Sequence, residues 1–575
     1  MEGSKCRTCF SSSSSYSCQS NQPNYVTHLL QTLFVVLLSA SLWSIFRRHR
    51  KVQGVPSISK LPGPQSQSWW QGNLTQVFDV NGWEFHRKLA EYGPTVGLNG
   101  TLGHKQFYTS DVKAMNHILV KNPSVFPPLR HNEGLGEALL GKGLLTTDGE
   151  HHRKQRKMLN PVFSIAYMRS IMPTFYDVVD QLQNALHQRV QDGPREIDLL
   201  GWMSRTALEL IGQSGFGYSF DNMLDDVPKH KYTVVMKELA PAIGRLRFAM
   251  GYIFPLVLGI VRSTNVRIFL MNAAPWKTLH SVRDMSEYMY EVSLGVYEAK
   301  KRALEEGDEA MANQIGRGKD LLSILMKDNM NADNEDKLDE EEVIAQMSTF
   351  IFAAMDTTSN GMSRILHLLS SHQDAQDKIR QEIIQARSQH QGNRLSYDEL
   401  VALPYLDAVC RETLRLHPPV PVLLRKCSED VVVPFSQPVQ GTDGTEITEV
   451  FLPKSTPVLI SILNSNRSAE LWGPDANEWK PERWLSPLPE TITGSKVPGV
   501  YAHLMTFSGG SRSCIGFKFS QLEMKVVISM LVENFKFSLP QKKDVLWRMS
   551  GVVSPVVEGG DGHPRLPLVM ELMKP

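Results

Sequence analysis

The chain has 575 residues, with 61 Lys or Arg against 60 Asp or Glu and a formal net charge of +1. This balance leaves no global field that would draw nucleic acid, so an electrostatic partner must be met by a local patch. Six cysteines, at positions 6, 9, 18, 410, 427 and 514, are too sparse for a disulfide framework in a chain this long.

Residues 1–24 form a Ser-rich tail in which Cys6 and Cys9 make a lone C-x-x-C, with no second pair or nearby His to complete a zinc site. Tyr25 to Phe46 is apolar apart from His28, Gln31 and small hydroxyls, matching the ~20 residues that span hydrocarbon as a helix. A cleaved signal peptide is the competing reading, because Ser39-Ala40-Ser41 loosely imitates a cleavage site. A signal peptide carries its charge before the apolar run, whereas Arg47, Arg48, Arg50 and Lys51 follow it. The expectation is a single-pass anchor at 25–46, with the tail across the membrane and the body cytoplasmic, as in the endoplasmic reticulum. Asn73, Asn99 and Asn466 head glycosylation patterns that this topology leaves bare. Residues 47–66 are a basic and Pro-rich linker, stiffened by Pro62 and Pro64. Residues 67–575 form the body, expected to be mainly α with small β-sheets, the Val/Pro/Gly-rich stretches lying around 418–460 and 545–570.

Within the body, Asp148 to Lys157 is a basic helical stretch containing His152 and Arg156, groups that are ordinarily solvated. Ala240 to Val261 is apolar but broken by Pro241, Gly244, Gly251, Pro255 and Gly259, so it is either buried core or a membrane-dipping lid. Residues 328–342 are acidic and predict a solvated loop leading to a helix capped near Asp339. No proline interrupts the chain from there to about Ser370, giving ~30 residues and ~45 Å of helix. Its apolar middle meets Asp356-Thr357-Thr358, either a helix-bending threonine with a solvated acid or an acid–alcohol pair for proton transfer. Glu412 and Arg415 stand i, i+3 on one helix face and can pair, which on a surface contributes little. Finally, Phe507-Ser-Gly-Gly510-Ser-Arg512-Ser-Cys514-Ile-Gly516 is a glycine-rich loop entering a helix. Backbone N–H groups there favour a thiolate, the soft ligand that pushes electron density onto haem iron. Arg512 could pair a porphyrin carboxylate. An isolated cysteine can equally be a small buried hydrophobe.

Phe507, Gly510, Arg512, Cys514 and Gly516 fit the F-x-x-G-x-R-x-C-x-G signature, and through it the chain resembles the cytochrome P-450 family. The resemblance continues in chain order over roughly residues 60–570. It implies Cys514 as axial ligand of haem b (iron protoporphyrin IX), with Phe507, Gly510 and Gly516 shaping its loop. Glu412, Arg415 and, from Pro481-Glu-Arg483-Trp484, Arg483 are implied as a structural triad. Arg512, Arg156 and Arg425 are implied propionate partners, with His152 standing where the family usually has Trp. Ala353 to Thr358 is similar to the oxygen-activation motif, in which Thr357 hydrogen-bonds the oxygen and Asp356 relays protons. Ala354 departs from the usual glycine. Arg153, Lys154, Lys157, Lys518 and Lys525 would form a basic face for a flavin reductase that passes on electrons from NADPH.

The function implied is a membrane-bound monooxygenase. A thiolate-haem isomerase or dehydratase acting on a peroxide is disfavoured by the acid–threonine pair, and a non-catalytic haem or lipid binder by the intact motifs. Stretches aligning with the family's pocket, at 120–140, 240–262, 349–357, 418–424 and 549–553, are rich in Val, Leu, Phe and Met and predict a bulky apolar substrate. The N-terminal tail and the Pro-Gly-Pro…Ser-Trp-Trp-Gln-Gly-Asn opening look like fungal microsomal members. That likeness suggests a triterpenoid or sterol such as lanosterol, with fatty acids or xenobiotics as alternatives.

Overall fold

The computed structural model describes residues 56–573 except 130–132, 227–229, 247–248, 250–252, 255–256, 258–259, 262, 308, 311–314, 316–317 and 334–335, together with Thr32, Val35, Val36, Ser39 and Trp43. Two compact units are present, Met1–Arg48 and His49–Pro575. Most of the expected anchor lies outside the described residues. The five described there are helical, and Val35, Val36 and Trp43 are exposed. Among the described residues no helix is long and apolar enough to cross a membrane.

The second unit is mainly helical. Its elements that position the site are α1 (Gly149–Leu159), α2 (Leu199–Leu210), α3 (Tyr232–Arg245), α4 (Glu340–Ser371), α5 (Pro404–Leu416) and α6 (Phe517–Asn534). Helix α4 has 32 residues and begins where its local chemistry dictates: Asp339 is the N-cap, and its N–H donates to the Glu342 carboxylate at 3.0 Å. Twenty-one of those residues are buried, so α4 is a central beam packed by α2, α3, α5 and α6 rather than an amphipathic surface helix.

The predicted acidic loop is shorter than expected. A helix, Leu321–Asn331, covers its first four residues, because Asn329 clamps the far end of the loop by accepting from Leu338 N at 2.7 Å and donating to Leu338 O at 2.9 Å. In the 240–261 stretch, α3 continues through Pro241 to Arg245. Leu246 and Ala249 are buried, while Ile253 and Ile260 are exposed.

The sheets are small. The largest orders β1 (Thr95–Asn99), β2 (Lys105–Thr109), β4 (Pro457–Ser461) and β3 (Val422–Lys426), with β2 parallel to β4 and the other pairings antiparallel. Strand β5 (Leu504–Gly509) leads to Cys514, and β6 (Val545–Ser550) pairs antiparallel with β7 (Val552–Val557). Asn73 and Asn466 are buried and hydrogen-bonded, so burial alone keeps those two acceptors bare, whichever side of a membrane they face.

Candidate active site

The thiolate loop is a tight return. After β5 a single turn, Gly510–Arg512, brings Cys514 N within 2.8 Å of the Phe507 carbonyl, and Gly516 caps α6. Gly510 has φ +73°, and a Cβ there would lie 1.9 Å from the Leu119 carbonyl oxygen. This glycine therefore admits another part of the chain. Gly516 is roomier, since its nearest neighbour would be the Phe163 ring edge at 3.9 Å. Phe507 packs edge-on against Tyr501, with centroids 5.5 Å apart. The Cys514 side chain keeps open surface although protein crowds around it, so it faces an internal space. Burial pushes its thiol pKa up, opposed by the Gly516 N–H and the Arg156 charge.

Arg156 is turned towards this loop. It donates to the Ser513 carbonyl at 2.6 Å and to Asn160 at 3.2 Å, so its donors brace the residue before the sulfur. His152, one turn earlier on α1, is buried. Arg512 donates to the Thr147 carbonyl at 2.7 Å and pairs with Asp148. Arg425, on β3, is only 8% exposed and, among the described residues, its side chain donates to one protein oxygen, its neighbour's Leu424 carbonyl, at 3.0 Å. Burial lowers its pKa to about 10, and Arg512 adds repulsion that Asp148 only partly offsets. Two guanidinium groups thus converge with one carboxylate between them, beside a cysteine facing open space. That donor set fits a large flat group bearing a metal and two carboxylates, since a second anion would relieve the Arg425–Arg512 repulsion.

On α4, Asp356 and Thr357 are half-buried. Thr357 Oγ1 donates to the Ala353 carbonyl at 2.7 Å, the back-bond of a helix-bending threonine, leaving its lone pairs free to accept. Burial raises the Asp356 pKa to about 6, and the Lys237 ammonium on α3 pulls the other way. No local signal identified Lys237, because only the packing of α3 over α4 brings it near.

On α5, Glu412 and Arg415 are fully buried. Arg415 Nε and Nη2 each donate to Glu412 at 2.8 Å, and Arg483 Nε donates at 2.9 Å. The sequence did not reveal the rest of this network: Trp484 Nε1 and Lys480 N also donate to Glu412, at 2.9 and 3.0 Å, and Asp475 pairs with Arg483. Burial alone would raise the Glu412 pKa, but the two arginines hold it below the usual carboxylate range.

Comparison with known proteins decides the family. The model described as cytochrome P-450 matches residues 62–558. This chain belongs to the cytochrome P-450 family. Cytochrome P-450 monooxygenase 91 of Postia placenta is 47% identical over 547 residues, 95% of this chain and 100% of that protein. A ganoderic acid synthetase of Ganoderma lucidum is 44% identical over 534 residues, covering 92% and 96%. A cytochrome P-450 monooxygenase of Hericium erinaceus is 37% identical, covering 94% and 97%. The protein is therefore a cytochrome P-450 monooxygenase, and its family implies a haem-thiolate cofactor and a reductase.

One expectation about this P-450 fails. Lys525 is not on a basic surface: it is 2% exposed, bonded to Asp407 at 2.8 Å and to the Val401 carbonyl at 3.0 Å. Its position on α6 faces α5, a direction that spacing from Cys514 alone did not reveal. Of the remaining four, Arg153 is well exposed, Lys157 pairs with Asp336, Lys154 donates to the Lys337 carbonyl and Lys518, half-buried, lies over the Phe517 ring.

Proposed function

We propose that this monooxygenase holds haem b through Cys514, with Arg425, Arg512 and His152 at its carboxylates. In this reading it inserts one atom of O2 into a C–H bond of a triterpenoid or sterol, of which lanosterol is the type. Bound haem supplies oxygen activation. The chain's own part is to brace the sulfur loop through Arg156 and to move protons opposite it. Asp356 carries a proton up to about pH 6, and Thr357 Oγ1, its own hydrogen committed to Ala353, accepts from the donor. Electrons come from NADPH through a flavin reductase that docks on the face of Arg153, Lys154, Lys157 and Lys518. Tyr25–Phe46 anchors the chain in the endoplasmic reticulum membrane, with the body cytoplasmic.

The observation that carries the substrate class is the 44% identity to a ganoderic acid synthetase, named for a triterpenoid acid, over nearly its whole length. The test is to supply membranes bearing this chain with reductase and NADPH and offer a panel of sterols, triterpenoids, fatty acids and small aromatics. NADPH-dependent gain of one oxygen by a triterpenoid or sterol is the expected result. Turnover confined to fatty acids or small aromatics would overturn it.

A further inference from the structure

A second group of buried cations has none of the residues described around Cys514 among its hydrogen-bond partners. Arg364 lies on α4 two turns beyond Thr357, His417 caps the end of α5, and Arg467 follows the short helix Ile462–Asn466. Arg364 Nη2 is 2.9 Å from His417 Nδ1 and 3.1 Å from Nε2, and Arg467 Nη2 is 3.4 Å from the same Nδ1. Tryptophans wall the group. Trp547 on β6 lies 4.5 Å from the Arg364 guanidinium, with its Nε1 donating to His367 at 3.0 Å, and Trp83 lies 5.6 Å from Arg467.

The accounting of acceptors does not close. Each guanidinium has five N–H donors, and a neutral imidazole offers one lone pair. Arg467 also reaches the Leu416 carbonyl, at 2.8 Å from Nε, but Arg364 has no oxygen acceptor among the described residues, and its Nε is buried without any partner. The charges do not close either. The groups that perturb Arg364, Arg467, His367 and His417 are all cationic or imidazole, and burial with this repulsion lowers Arg364 to about 9 and Arg467 to about 10. Where this fold needs a buried arginine for structure, it supplies a carboxylate, as Glu412 does for Arg415. Here, among the described residues, it supplies none. Arg364, His417 and Arg467 nonetheless each keep some surface open within dense protein.

We infer that Arg364, Arg467 and His417 form a buried binding site for a compact oxyanion, a carboxylate or phosphate group, separate from the haem site. Water could satisfy the orphaned donors, but only an anion also neutralises them. The planar forks of two guanidinium groups match paired oxygens better than a spherical ion. The site stands independently of the proposed substrate.

The test measures thermal unfolding of the haem-loaded chain in a buffer of bulky, weakly binding ions. Acetate, inorganic phosphate or chloride is titrated in at constant ionic strength. A saturable rise of a few degrees with acetate or phosphate, absent with chloride, is expected. Acetate acting alone identifies the carboxylate of an organic ligand as the occupant, and phosphate acting alone identifies free phosphate. Arg364→Met should abolish the response and, without oxyanion, be at least as stable as the parent. Arg364→Lys, which keeps the charge but loses the fork, should weaken it. If Arg364→Met does not accumulate, the comparison of oxyanion with chloride on the unaltered protein still decides. A response equal for all three anions, one that never saturates, none at all, or one that survives both substitutions overturns the site.

Discussion

Two sets of buried arginines in this protein differ in how their charge is met. Around Glu412, Arg415 and Arg483 share one carboxylate that also accepts from Trp484 and Lys480, and the fully buried pair is complete within the chain. Near the cysteine loop, Arg425 and Arg512 have Asp148 for both, and among the described residues the Arg425 side chain reaches a single neighbouring carbonyl. The first set is finished when the chain folds. The second keeps two guanidinium groups on one carboxylate among the described residues, and in the proposed reading a haem carboxylate completes it. A buried charge without its counter-charge therefore points to a ligand more directly than a buried ion pair does.

The sharpest way to break this contrast is Glu412→Gln. It strands two guanidinium groups in the core and should cost about 3–5 kcal/mol, read as loss of soluble protein or a collapsed unfolding midpoint. A mild effect would mean the network is not complete as described. Asp356→Asn comes next, because burial holds Asp356 above the usual carboxylate range against the pull of Lys237. Delivery that depends on its acid form should fall as pH rises through about 6 in the parent. The variant should lose that limb and roughly 10²-fold in coupled turnover, measured as product formed per NADPH consumed.

Arg425→Met should separate the two sets. Without haem it should be as stable as the parent or more so, since a repelled buried charge is gone. With haem it should release the group about 10-fold faster, followed by transfer to a haem scavenger. The smallest effect concerns Glu523 on α6, which is fully buried with both oxygens unpartnered and its pKa raised well above 4.5 by burial. The folded chain keeps this proton while the unfolded chain releases it as pH climbs past 4.5, so stability falls with rising pH. Glu523→Met should flatten that slope and gain about 1–2 kcal/mol at pH 8.

The features legible in the sequence are those written within a few residues of one another. The start of α4 follows from Asp339 and Glu342 three apart, and the thiolate loop from five positions spanning Phe507 to Gly516. What could not be read depends on distant segments meeting. The Asn329 clamp on Leu338 shortened a loop that looked entirely solvated, and Asp407 drew Lys525 inward from a helix face expected to be basic. The convergence of Arg425 on Arg512 and the cluster around His417 join positions remote along the chain, and no local pattern records such distances.

The Gly510 contact carries a mechanical consequence. The loop holding the sulfur and the segment His117–Lys121 meet backbone to backbone there, with no flexible side chain between them to absorb displacement. Residues just beyond Lys121 belong to a stretch expected to line the substrate space. A molecule that shifts them would lean on the cysteine proposed to hold the iron, so its arrival should register in the colour of the haem-loaded protein even if it never touches the metal.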